Sequence, residues 1–176
     1  MRFELRGYQE DALRELFEKF ERMLKSSEQK TCVFKAPTGS GKTVVVADLL
    51  RKIVIEKNDF IFSFIWIAPR KLHNQSKDKL EAFYDNQLLK CSNFEDLQDH
   101  KIDQNEILFF NWESINKKNN IYIMDNEQDN NLSTIIQNTK GGGHKLILII
   151  DESHFAAAGE KSLEIIHDLK PDVTLE

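Results

Sequence analysis

The segment Ala36-Pro37-Thr38-Gly39-Ser40-Gly41-Lys42-Thr43 sets two glycines, a lysine and a threonine hydroxyl within five positions, between an apolar run and a helical run. Glycine at 39 and 41 lets successive backbone N–H groups turn inward around an anion, because no Cβ blocks the tight conformations or the close approach of a phosphate. A helix starting near Thr43 adds the partial positive charge of its N-terminus. Lys42 can then reach terminal phosphates as a compact cation, and the Thr43 hydroxyl can ligate a bridging Mg²⁺. Position 36 is alanine where the general phosphate-loop pattern has glycine, but the central glycines and the Lys-Thr pair are intact, and Thr38 and Ser40 complete the loop.

A second constellation lies over a hundred residues on. Five apolar residues, Leu146 to Ile150, run straight into Asp151-Glu152-Ser153-His154. In an open α/β sheet ligands bind beyond the carboxyl ends of the strands, so this carboxylate pair is aimed at the same edge as the glycine loop. Asp151 suits the metal side, holding Mg²⁺ directly or through water, and Glu152 suits orientation and deprotonation of an attacking water. A Ser-His-acid triad from Ser153, His154 and Glu152 is excluded, since adjacent residues of one strand end diverge. Gly39-Ser40-Gly41 lacks the outer glycine spacing of a nucleophile elbow.

The elements that must position these groups are legible in the hydrophobic periodicity. Ala12, Leu13, Leu16, Phe17, Phe20, Met23 and Leu24 recur three and four apart, predicting an amphipathic helix over Tyr8 to Leu24. A strand is expected at Thr31 to Ala36 and a helix from Thr43 to about Lys57. Phe60 to Ala68 is the apolar run of a strand buried on both faces, stopped by Pro69. A helix over Lys71 to Tyr84 and strands at Glu106 to Phe110 and Leu146 to Ile150 follow. Residues 86–105 and 116–144 are polar, with a short helix expected near Asn131 to Thr139 and ended by Gly141 to Gly143. Strands alternating with helices predict an α/β fold: a mostly parallel central sheet with helices on both faces.

Composition bounds the function classes. At 176 residues the chain holds one domain, and 40% hydrophobic residues with 30% charged ones describe a chain that folds. The net charge of −5 excludes a bulk positive field that would draw it to nucleic acid or an anionic membrane, so any anion site is local. Cys32 and Cys91 cannot build a disulfide framework or a zinc site. Residues 1–10 lack the apolar core of a signal peptide, and the longest apolar run is too short to span a bilayer, so no membrane partner and a cytoplasmic location are expected.

Taken together, Ala36 to Thr43 and Asp151 to His154 resemble motifs I and II of the superfamily 2 helicases and translocases, in the DExH branch. The segment from Phe3 to Gln9 is similar to the adenine-reading Q-type motif, Ile67 to Leu72 with Gln75 to motif Ia, and Phe110 to Ser114 to motif Ib. Asn111, Trp112 and the Asn-rich stretch before the acidic strand resemble the Res subunit of type III restriction enzymes. The resemblance spans essentially the whole chain, residues 1–176, as the first of two RecA-like P-loop NTPase domains, and on it the chain reads as a fragment ending before the second.

What the resemblance implies is an ATP-dependent DNA motor with ATP and Mg²⁺ as cofactors. Lys42, Asp151 and Glu152 would be catalytic, and Gln9 with Thr38, Gly39, Ser40, Gly41, Lys42 and Thr43 would bind nucleotide, with Thr43 and Asp151 on the metal. Phe3 or Arg6 could stack on the base. Arg70, Lys71, Gln75, Asn111 and Ser114 would contact the sugar-phosphate backbone, which positions a strand without reading its sequence. His154 would couple the nucleotide site to the second RecA-like domain. Duplex DNA and a modification or recognition subunit are the implied partners. A P-loop kinase or nucleotide switch that never touches nucleic acid, and another superfamily 2 DNA or RNA helicase, are the alternatives. The Ile67 to Gln75 segment speaks against the first, since a kinase has no need of an Ala-Pro-Arg-Lys turn there.

Overall fold

The computed structural model of the chain describes residues 4–26, 30–37, 39–69, 72–84, 88–111, 131–151 and 169–176. Helix α1 (Gly7–Leu24) turns Leu16, Phe17, Phe20 and Met23 inward, as their three- and four-residue spacing requires. Helix α2 (Lys42–Glu56) buries Val45, Ala47, Leu49, Leu50 and Ile53, and α3 (Leu72–Tyr84) buries Leu80 and Tyr84. The first two helices are tied at their far ends, where the Lys57 ammonium pairs with Glu21 and Lys52 lies 4.6 Å over the Phe17 ring.

Among the described residues one sheet is formed by β1 (Lys30–Cys32), β2 (Phe62–Ala68), β3 (Lys90–Ser92), β4 (Glu106–Asn111), β5 (Lys145–Ile150) and β6 (Val173–Leu175). Their order is β1-β6-β5-β2-β4-β3, and every pairing is parallel. The nearly continuous apolar run of β2, broken only by Ser63, hides a period of two, because both faces are covered. Phe62, Phe64, Trp66 and Ala68 join Ile107, Phe109, Ile147 and Ile149 under α1, α2 and α3. Ile65 and Ile67 join Leu108, Phe110, Leu146, Leu148 and Ile150 on the opposite face, against Leu132, Ile135 and Ile136 of α4 (Leu132–Gly141). The expected α/β sheet with helices on both faces is therefore what the chain forms.

Helix α4 starts and stops on local chemistry. The Asn131 side chain accepts from the Thr134 N–H at 2.8 Å, capping the first turn. At the other end the N–H groups of Gly142 and Gly143 donate to Asn138 and Lys140 carbonyls, and Gly143 has φ +80°.

Three expectations need correction. The second strand starts at Phe62, not Phe60: the Phe60 N–H closes a turn onto the Lys57 carbonyl, and the Phe60 and Ile61 side chains are exposed. The first strand covers Lys30 to Cys32 rather than Thr31 to Ala36. It pairs with β6 over three residues, and after the Phe34 N–H donates to the Glu176 carbonyl at 2.5 Å the chain leaves the ladder for the glycine loop. Strands β3 and β6, unanticipated, lie within the polar stretch at 86–105 and at the end of the chain. Each is three residues long, too short for a period to register.

Candidate functional site

The loop leaving β1 reaches α2 through two left-handed glycines, Gly39 at φ +80° and Gly41 at φ +86°, with Gly41 as the N-cap of the helix. The Ser40 N–H donates to the Pro37 carbonyl at 3.1 Å, and the Val44 and Val45 N–H groups both donate to Gly41. Torsion favours glycine at both positions, and at 41 a neighbouring side chain adds crowding. A Cβ there would stand 2.4 Å from the Gln9 side-chain nitrogen, whereas one at Gly39 would meet nothing within 4 Å.

Gln9 reaches the loop because α1 begins beside it. Its Oε1 accepts from the Arg6 N–H at 2.8 Å, and its Nε2 donates to the Ser40 carbonyl at 2.8 Å. The Tyr8 hydroxyl donates to the same carbonyl at 3.1 Å. The side chain read as an adenine contact is thus also a strut under the phosphate loop. The Ser40 hydroxyl is buried and has no hydrogen-bond partner among the described residues, a polar atom in the loop that a bound oxyanion would satisfy.

Asp151 arrives from the other side. Strand β5 lies next to β2, with Ile67 opposite Ile150, and the Asp151 N–H extends the ladder by donating to the Ile67 carbonyl at 2.8 Å. Lys42, Thr43 and Asp151 face one cleft of about 740 Å³, walled by Gly39 and Gly41 and by Gln75, Ser76 and Lys79 of α3. The same three residues also border an apolar recess of about 260 Å³ that runs back to Trp66 and Leu49. A cation, a hydroxyl and a carboxylate around a glycine cradle suit a polyphosphate with its metal. Among the described residues no cluster of three or more His, Cys, Asp or Glu holds a metal unaided. Mg²⁺ takes one or two protein ligands and completes its shell with phosphates and water, so the Thr43 hydroxyl and the Asp151 carboxylate have the chemistry to hold it.

Ser76 escaped the sequence reading. Its hydroxyl donates to Asp151 Oδ2 at 3.3 Å. The available signal was its place between Leu72 and Leu80 in the four-residue stripe of α3, a polar residue on a buried face.

Of the residues assigned to nucleic acid, Gln75 lines the cleft of Lys42, Thr43 and Asp151. Asn111 ends β4 opposite Ala68 and borders a separate shallow pocket of about 250 Å³ with His73, Asn74, Asn93 and Glu95. His73 carried no pattern in the sequence, yet it shares that pocket. Thr38, Arg70, Lys71, Ser114, Glu152 and His154, with Phe3, lie outside the described residues. The cysteines stand apart from the site. Burial raises the Cys32 thiol and pushes Cys91 up to about 12, so both stay protonated and unreactive near neutral pH. No described helix is long and apolar enough to cross a membrane.

Comparison with known proteins bears on this geometry. The family model described as "Type III restriction enzyme, res subunit" matches residues 2–176. No curated protein matches the chain. Among solved structures, the Sulfolobus solfataricus SWI2/SNF2 ATPase core in complex with dsDNA superposes with a TM-score of 0.62 at 17% sequence identity. The match covers 99% of this chain and 32% of that one, so the chain spans about a third of its structural neighbour. At that identity the likeness speaks for the fold alone, an α/β domain with a parallel sheet.

Proposed function

The chain belongs to the res-subunit family of type III restriction enzymes, and on that premise we propose that it is a helicase-type ATPase domain that binds and hydrolyses ATP to drive a DNA translocase, as part of a restriction subunit. The observation that carries the reading is the convergence of Lys42, Thr43 and Asp151 on one cleft floored by Gly39 and Gly41.

Each residue has a physical task there. Backbone N–H groups of the loop and the α2 N-terminus hold the phosphates, and Lys42 offsets charge as it gathers on the terminal oxygens. Thr43 and Asp151 would hold Mg²⁺, which would supply positive charge against the phosphates. Glu152, next in sequence, would orient the attacking water. Gln9 would serve adenine as well as the loop. Coupling through His154 to a second RecA-like domain, and recognition by a modification subunit, belong to the same proposal.

For nucleic acid, Arg70, Lys71, Gln75, Asn111 and Ser114 would supply contacts to the sugar-phosphate backbone. The polar pocket of Asn111, His73 and Asn74 supports that reading. Duplex DNA is the favoured substrate on family grounds.

Calorimetry with ATP and Mg²⁺ tests the nucleotide site. Wild type should bind, and Lys42→Ala should lose at least about tenfold in affinity, the effect of removing a charge-assisted phosphate contact. Equal binding by the two proteins would sink the reading.

A further inference from the structure

We propose that Ser76 is a positioning residue that orients the metal-side carboxylate of Asp151. The inference rests on the proposed Mg²⁺ site and adds to it a residue that neither the sequence motifs nor the family match assigns.

A serine in a helix interior ordinarily satisfies its hydroxyl locally, by donating to a carbonyl one turn back. Ser76 is buried on the inner face of α3, and its hydroxyl instead crosses to another element, donating to Asp151 Oδ2 at 3.3 Å. The two residues are 75 positions apart in the chain. Asp151 sits at the mouth of β5, where a single carboxylate can rotate about its side-chain torsions unless something fixes it. A donor on Oδ2 restrains the rotation of the carboxylate that lines the cleft with Lys42 and Thr43. Partners of this kind tune metal affinity without touching the metal.

Helix packing makes the arrangement stiff. Leu80, one turn beyond Ser76, is in the core with Ala47 and Leu49 of α2, and the Tyr84 hydroxyl donates to the Ala47 carbonyl at 2.8 Å. The hydroxyl of Ser76 is therefore carried on a helix anchored to the one that begins with Lys42 and Thr43.

The test is the Mg²⁺ dependence of nucleotide binding, followed with a fluorescent ATP analogue on the chain itself. Ser76→Ala should raise the half-saturating Mg²⁺ about three- to tenfold, the lower range for a lost hydrogen bond to a charged group. Binding in EDTA should be unchanged, and Ser76→Thr, which keeps the hydroxyl, should lie near wild type. Ser76→Cys, similar in size but a poor donor, should follow alanine and serves if alanine perturbs folding. A Mg²⁺ midpoint identical in wild type, Ser76→Ala and Ser76→Cys overturns the inference. Wild type with no Mg²⁺-dependent binding at all would instead remove the metal site on which it rests.

Discussion

At the scale of single residues, the phosphate loop depends on two glycines whose requirements differ. Both have φ near +80°, which costs an L-residue about 1 to 2 kcal/mol. Only Gly41 is also crowded, by the Gln9 amide. Gly41→Ala should therefore destabilise the chain by more than Gly39→Ala in urea unfolding. The excess should shrink when Gln9→Ala is added, because the second change removes the atom the new Cβ strikes. Equal costs for the two alanines, or strict additivity with Gln9→Ala, would show that the Gln9 strut does not bear on the loop. The glycines and Lys42 could be read from sequence because their chemistry is intrinsic: a missing Cβ and a cation adjoining a loop. Gln9's bond to Ser40 could not, because it links positions 31 apart.

At the scale of elements, helices with a strong apolar stripe matched expectation within a residue or two, and so did strands whose neighbours bury both faces. The short helix α4 shows why a polar stretch can still contain structure. Its Leu132, Ile135 and Ile136 pack on one face of the sheet with Phe94, Ile102 and Leu169, and Asn131 caps it. Ile135 is fully buried, so Ile135→Ala should cost about 2 to 5 kcal/mol in chemical denaturation. A loss under about 1 kcal/mol would mean that α4 does not seal that face. Strands β3 and β6 went unseen because three residues carry no period. Their stability comes from pairing: β6 fills the place between β1 and β5, and the Asp172 side chain accepts from the Leu146 N–H at 2.9 Å.

For the molecule as a whole, an acidic chain is proposed to hold a polyanion. The net charge of −5 predicts weak binding from a local strip rather than a broad field. If the cations between Arg70 and Lys79 are that strip, affinity for duplex DNA should fall with a log-log salt slope of about −2 to −3, as two or three contacts would give. A slope near zero would favour a nucleotide switch that does not engage nucleic acid. The sheet order sets the geometry behind this proposal. With β5 beside β2 and β2 beside β4, the ends bearing Asp151, Ala68 and Asn111 lie along one edge, where Asp151 lines the cleft of Lys42 and Thr43 and Asn111 the polar pocket.

The sequence by itself determined the reagents and the class of fold, because glycine torsion, the charge of lysine and carboxylate, and hydrophobic period are properties of residues and their near neighbours. The tertiary structure decided which of those reagents meet. It brought Lys42 and Asp151 to one cleft, turned Gln9 under the loop, set Ser76 against Asp151 and completed the sheet with two three-residue strands. Each of these depends on the register between segments far apart in the chain. Long-range pairing fixes that register, and no local window of residues contains it.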